Sequence, residues 1–112
     1  WDVGKQIGAL DIGQCVVVKD RVIVAVEAVE GTDGAIRRGG ELAQGGAVVV
    51  KRCKPQQDLR FDLPAVGPRT IEVMEAVKAS VLALEAGRGI LLDRDDTIAK
   101  ANRAGIAIVG MT

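Results

Sequence analysis

From Cys15 to Glu30 the chain reads CVVVKDRVIVAVEAVE, two β-branched runs on either side of Lys19-Asp20-Arg21. Runs this short and this branched predict two strands, Val16 to Val18 and Val22 to Val26, folded as a compact hairpin. Their apolar character is continuous, so at least part of the pair is expected to be buried on both faces. EGTDGAIRRGGELAQGG follows, where Thr32 or Asp33 can cap a helix and Ala35, Ile36 and Leu42 are placed to face inward. Gly39-Gly40 costs that helix about 1 kcal/mol per glycine relative to alanine, which predicts a short or broken helix ending at Gly45-Gly46. Ala47 to Cys53, AVVVKRC, is the third strand.

Gly67-Pro68 predicts a cap with proline in the first helical turn, and a helix from about Arg69 to Ser80. Its apolar stripe is Ile71 and Met74, continuing to Lys78, with Val73 and Val77 beside it. VLALEAG and GILLD are short strands. DRDDTIAKANRAG is a helix capped by Asp93 or Asp95 and closed at Gly105, and IAIVG is the last strand. The order is ββαβ, loop, αββαβ, which predicts a single mixed α/β domain.

Composition narrows the possible functions. The 112 residues suit one core, and 48% are hydrophobic, with a single Phe, a single Trp and no Tyr. Acids and bases balance at 15 each, so there is no bulk field for nucleic acid. No apolar run approaches the roughly 20 residues of a membrane span, and WDVGKQIGAL lacks the layout of a signal peptide. Cys15 and Cys53 form no Cys-x-x-Cys pair and read as buried, reduced thiols suited to a cytoplasm. The chain contains no histidine. That removes Ser-His-Asp and Cys-His catalysis and HExxH metal sites, leaving acid–base work to carboxylates, lysines or metal-bound water.

The chemistry concentrates in KPQQDLRFDLPAVGPRT, Lys54 to Thr70, which holds all 3 prolines. Asp58 and Asp62 lie four apart, roughly 13 Å on an extended strand, so only a bend or bulge brings both to one ion. Leu59, Phe61 and Leu63 can anchor one side while Asp58, Arg60 and Asp62 share the other. Carboxylates suit magnesium, which needs only one or two from the protein when phosphates supply the rest. The plain alternative, favoured by spacing alone, is that Arg60 neutralises two exposed acids. The Gly67 to Thr70 turn adds a helix start and a hydroxyl, chemistry that suits a phosphate. Glu30, Thr32 and Asp33 sit at another strand-to-helix junction, where capping is the simpler role. Lys5, Gln6 and Gln14 are further polar groups within possible reach of a ligand.

Three stretches together go beyond generic α/β sequence: DIGQCVVVKDRVIVAVEAVEGTD, KPQQDLRFDLPAVGPRTIE and EAGRGILLDRDDTIAKANRAGIAIVG. They resemble the carboxy-terminal domain of bacterial UDP-2,3-diacylglucosamine pyrophosphatases of lipid A biosynthesis, the type found where the metallophosphoesterase-type enzyme is absent. The specific blocks are E-G-T-D at 30 to 33, K-P-x-Q-D-x-R-x-D-x-P at 54 to 64 and G-P-x-T at 67 to 70. The resemblance implies magnesium-dependent hydrolysis of the nucleotide lipid to UMP and 2,3-diacylglucosamine 1-phosphate (lipid X). It also implies an amino-terminal domain missing here, a site between the two domains, and work in the cytoplasm, peripheral to the inner membrane. The metal-linked catalytic aspartate it implies falls on Asp58 or Asp62, with Asp62 preferred. From charge alone, and not from the resemblance, Lys54, Arg60 or Arg69 is expected to stabilise phosphoryl oxygens, and Thr70 with the helix end to hold the second phosphate. Gln57 and Thr32 complete the expected substrate-binding set. The alternatives are a non-catalytic nucleotide-sugar or anion-binding module, and a homo-oligomerisation domain built on the valine-rich strands.

Overall fold

A computed structural model of the chain describes residues 1–10, 13–52 and 65–111. The strands are β1 (Cys15–Lys19), β2 (Val22–Val26), β3 (Val48–Lys51), β4 (Ala65–Val66), β5 (Val81–Glu85), β6 (Ile90–Leu91) and β7 (Ala107–Met111). The helices are α1 (Asp2–Ala9), α2 (Gly31–Ala43), α3 (Pro68–Ala76) and α4 (Arg94–Ala104). Five strands form one mixed sheet in the order β2-β1-β3-β5-β7, and β4 pairs with β6 in a separate two-stranded ribbon. The single mixed α/β domain expected from the sequence is what forms, with α1 and β4 added to it.

The hairpin closes with Lys19 opposite Val22, leaving Asp20 and Arg21 as a two-residue turn at φ 50° and 67°. Positive φ at both positions is what a tight hairpin turn of matching twist requires. A register shift between Val17 and Val18 leaves Val24 as the extra residue of a bulge. β1 is antiparallel to β2 and β3, whereas β3, β5 and β7 run parallel, joined through α3 and α4. Right-handed crossovers put both helices on one face, and the core confirms it. Cys15, Val17, Val49, Leu82 and Leu84 pack with Ile36 of α2, Ile71 and Met74 of α3, and Ala101 of α4. On the opposite face α1 lies close enough that a Cβ on Gly4 would sit 3.3 Å from Val50. Val16 and Val17, on opposite faces of β1, are therefore both buried, as the continuous apolar run predicts, whereas β2 is an edge strand with Val22 and Ile23 exposed.

Four expectations fail for physical reasons. The Gly39-Gly40 pair does not break α2, because both glycines are buried and let the helix approach its neighbours. An added Cβ would lie 2.6 Å from Val17 Cβ at Gly39 and 2.4 Å from Val77 Cβ at Gly40. Leu42 is exposed, on the side of α2 turned away from the sheet. Neither Thr32 nor Asp33 caps α2: Glu30 occupies the cap position, and no side-chain cap bond forms. Finally, α3 stops at Ala76, four residues short, with Val77 at its end and Lys78 turned to φ 58°, so Lys78 does not extend the stripe. Among the described residues no helix is long and apolar enough to cross a membrane.

Candidate functional site

The strand directions gather one set of ends along a single edge of the sheet: the start of β1 and the ends of β2, β3, β5 and β7. Hydrogen bonds across that edge run from the Glu27 N–H to the Cys15 carbonyl and from the Arg52 N–H to the Gln14 carbonyl, both 2.9 Å. In open α/β sheets, ligands bind beyond the carboxyl ends of the parallel strands. Among the described residues, Glu27, Lys51, Arg52 and Glu85 lie at that edge.

β3 delivers two cations there. Lys51 follows the inward alternation of Val49 and is 8% exposed, and its Nζ donates to the Ala65 carbonyl at 3.0 Å. That bond ties the end of β3 to the start of β4, so both flanks of residues 53–64 are fixed at this edge. Arg52 is committed to structure. Its Nε and Nη2 donate to one Glu85 oxygen at 3.1 and 3.0 Å, Nη1 donates to the Trp1 carbonyl at 3.3 Å, and the guanidinium lies 4.1 Å over the Trp1 ring. Both partners of this ion pair are nearly buried, and Arg88 Nε lies 3.8 Å from the other Glu85 oxygen, so removing Glu85 would leave the Arg52 charge without its carboxylate. Cys15 pairs with Lys51 across the strands and is free and fully buried. Burial, and after it the charge of Glu27, push its thiol up to about 12. It therefore stays protonated and is no nucleophile.

Two helix starts meet beside these cations. At α2, the Thr32 hydroxyl donates to Glu27 Oε2 at 2.7 Å, while Glu30 accepts from the Ala28 N–H at 3.0 Å and from Arg38 Nη2 at 2.6 Å. The Arg38 hydrogen bond is the main reason the Glu30 carboxyl is held below its ordinary range. At α3, Gly67 is extended, Pro68 opens the first turn, and the Thr70 hydroxyl accepts from the Gly67 N–H at 3.3 Å. The cap and proline thus form as the sequence predicts. Arg69 Nε donates to Asp33 Oδ2 at 3.0 Å, joining the two helix starts. The Arg69 side chain is 74% exposed, which leaves a planar cation facing solvent between two positive helix ends. Such a rim suits a phosphate or diphosphate.

Of the expected site residues, Thr32, Arg69 and Thr70 are brought to this rim, with Thr32 engaged by Glu27 and Arg69 by Asp33. Lys54, Gln57, Asp58, Arg60 and Asp62 lie outside the described residues, as does Cys53. Among the described residues, no three His, Cys, Asp or Glu side chains are grouped to hold a metal ion. Sequence reasoning missed Lys51 and Glu27. Strand alternation in VVVKR, which puts Lys51 on the same face as Val49, was the available signal for the first.

The chain is similar to a named bacterial protein. The UDP-2,3-diacylglucosamine pyrophosphatase LpxI of Caulobacter vibrioides is 40% identical over 118 aligned positions. The alignment takes in 98% of this chain and 42% of that protein, so the chain spans less than half of its relative's length. The profile of the LpxI C-terminal domain matches residues 1–109. With the match running almost end to end, the chain belongs to the LpxI C-terminal domain family.

Proposed function

We propose that this domain supplies the diphosphate-handling half of a UDP-2,3-diacylglucosamine pyrophosphatase, cleaving the nucleotide lipid to UMP and 2,3-diacylglucosamine 1-phosphate in lipid A synthesis. The supporting observation is the Asp33–Arg69 clasp, which sets the α2 and α3 starts beside the exit of β3 in a chain of this family. The rest of the enzyme belongs to a second, amino-terminal domain, in keeping with the 42% of its relative that this chain spans. The complete enzyme works in the cytoplasm, at the surface of the inner membrane where its lipid resides.

In this reading Arg69 binds non-bridging phosphoryl oxygens through the part of its guanidinium not committed to Asp33. The α3 start offers the second phosphate its positive dipole end and the Thr70 hydroxyl, which accepts from the Gly67 N–H and keeps its own proton to donate, and Lys51 fixes the two flanks of residues 53–64. Pre-aimed donors of this kind act most strongly where charge grows in the transition state. The donor set is carboxylate-rich and lacks histidine, which fits magnesium better than zinc. Asp62, with Asp58, would hold that ion, and when bound it supplies charge neutralisation and an acidified water. Lys54, Arg60 and Gln57 complete the substrate contacts, with Thr32 keeping the α2 start in place.

The test is hydrolysis of UDP-2,3-diacylglucosamine by the protein carrying this domain at its full natural length, followed by phosphorus NMR. Release of UMP that requires magnesium and falls by orders of magnitude in Asp62→Ala, with the fold intact, is the expected result. Full activity in Asp58→Ala, Asp62→Ala and the double variant would refute the site assignment. Absence of UMP release from the wild-type protein would refute the activity itself.

A further inference from the structure

β3 ends in Lys51, which strand alternation turns to the same face as Val49. Its cross-strand neighbours on that face are Cys15 of β1 and Leu84 of β5, both buried, and Lys51 itself is 8% exposed. Among the described residues its Nζ makes one hydrogen bond, to the Ala65 carbonyl at 3.0 Å, and no ion pair. An ammonium carries three donors. A buried cation served by a single carbonyl costs the folded state more than an apolar side chain of the same length would. Packing therefore gives no reason for lysine here, where methionine would fill the same space.

What the ammonium holds supplies the reason. β4 and β6 form a short ribbon outside the five-stranded sheet. Its backbone pairing stays within it: Ala65 lies opposite Ile90, Val66 opposite Leu91, and the Leu92 N–H donates to the Val66 carbonyl at 2.8 Å. Val66 and Leu91 pack on the core, but apolar contact is non-directional and fixes no register. Among the described residues, the bond from Lys51 to the Ala65 carbonyl is the polar link between ribbon and sheet. Ala65 then leads through Val66 to Gly67, the cap residue of α3, whose N–H donates to the Thr70 hydroxyl. Arg69 reaches Asp33 from the same turn. The α3 start is thus held from two sides, by the Asp33–Arg69 pair at the surface and by Lys51 from the interior.

We propose that Lys51 is a positioning residue for the α3 start, a buried cation kept at a cost in stability because it sets Arg69 and Thr70 against the end of β3. The proposal rests on the phosphate-binding role given above to that rim. Lys51 acts through Arg69 and does not itself touch the substrate. Two consequences separate it from a merely structural lysine. Removing the charge leaves the domain as stable as before or more so, yet loosens the rim. The effects of removing Lys51 and Arg69 are also not additive, because the first works through the second.

The test compares wild type with Lys51→Met, Lys51→Gln, Arg69→Ala and the Lys51→Met, Arg69→Ala double variant, all as the full-length protein. Methionine matches the lysine stem and lacks the ammonium, whereas glutamine keeps a donor but falls one bond short of the Ala65 carbonyl. Thermal melting, the Kd for inorganic pyrophosphate and kcat/KM for UDP-2,3-diacylglucosamine are measured. Lys51→Met is expected to melt at or above the wild-type temperature. Both Lys51 variants are expected to bind pyrophosphate at least tenfold more weakly, with a similar fall in kcat/KM, and Lys51→Met should add no further loss to Arg69→Ala. If Lys51→Met melts well below wild type or fails to fold, the fold needs the charge and the inference is overturned. Pyrophosphate binding that the Lys51 variants leave unchanged, or a loss that adds in full to that of Arg69→Ala, overturns it as well, even if hydrolysis proceeds normally. Weakened pyrophosphate binding with no hydrolysis by the wild-type protein supports the inference and refutes only the proposed reaction.

Discussion

Replacing Gly39 with alanine tests the packing that positions the site. In an isolated helix the change would stabilise by about 0.8–1.0 kcal/mol, because alanine loses less backbone entropy than glycine. In this fold the new methyl would stand 2.6 Å from Val17 Cβ and 2.9 Å from Ala25 Cβ, both fixed to strands of the sheet. Carbon atoms pack at roughly 3.5–4.0 Å, so α2 must retreat by about 1 Å or the sheet must yield. Overpacking of that kind costs about 1–3 kcal/mol, and the severity of this contact favours the upper half. The balance is a net loss of about 1–2 kcal/mol, or a fall in Tm of roughly 4–8 °C for a domain of this size. Urea titration and thermal melting of Gly39→Ala against wild type measure it. A variant as stable as wild type, or more stable, would show that α2 does not lie as close to β1 and β2 as described. It would also loosen the placement of Asp33 against Arg69.

The other predictions separate function from stability. Arg69→Ala removes an exposed ion pair, so stability should change by no more than about 1 kcal/mol, whereas kcat/KM of the full-length enzyme should fall roughly a hundredfold. A large drop in Tm without a kinetic effect would reverse that assignment. In a Cys53→Ser background, Cys15 should resist thiol reagents in the native state at pH 8 and react on unfolding. Its thiol is raised from an ordinary 9.0 to about 12, so the folded state keeps the proton that the unfolded state loses. Stability should therefore be intact below pH 9 and then decline by up to about 1.4 kcal/mol per pH unit between pH 9 and 12. The slope difference between this protein and its Cys15→Ala counterpart isolates the effect, and equal slopes would refute it.

Much of the fold was legible because its signals are local. The β-branched runs of β1, β2 and β3 announce strands, and Gly67-Pro68 and Gly105 mark where helices begin and end. α1 escaped notice because two of its eight residues are glycines, Gly4 and Gly8, whose value lies in close packing rather than in helix propensity. The same cause hid the continuity of α2: the cost of Gly39 and Gly40 is visible in the sequence, but the neighbours that offset it are not. β4 and β6 are two residues each and exist only because they pair with one another. At the site, the phosphate-suited turn was readable from Gly67 to Thr70. Its clasp was not, since Asp33 and Arg69 are 36 residues apart and meet only through the packing of α2 on α3. Thr32 looked like a cap, and its hydroxyl serves Glu27 instead.

The central claim is that the stretch leaving β3 holds a divalent ion against the substrate's diphosphate, within reach of the Arg69 rim. Manganese tests this directly, because it replaces magnesium at carboxylate sites and its unpaired electrons broaden nearby phosphorus signals. The measurement is phosphorus relaxation of bound 2,3-diacylglucosamine 1-phosphate on the full-length protein, titrated with manganese, for wild type and for the Asp58→Ala, Asp62→Ala double variant. The account predicts strong broadening in the wild type that disappears in the double variant while product still binds. Broadening of equal size in both proteins, or none in either, would contradict it.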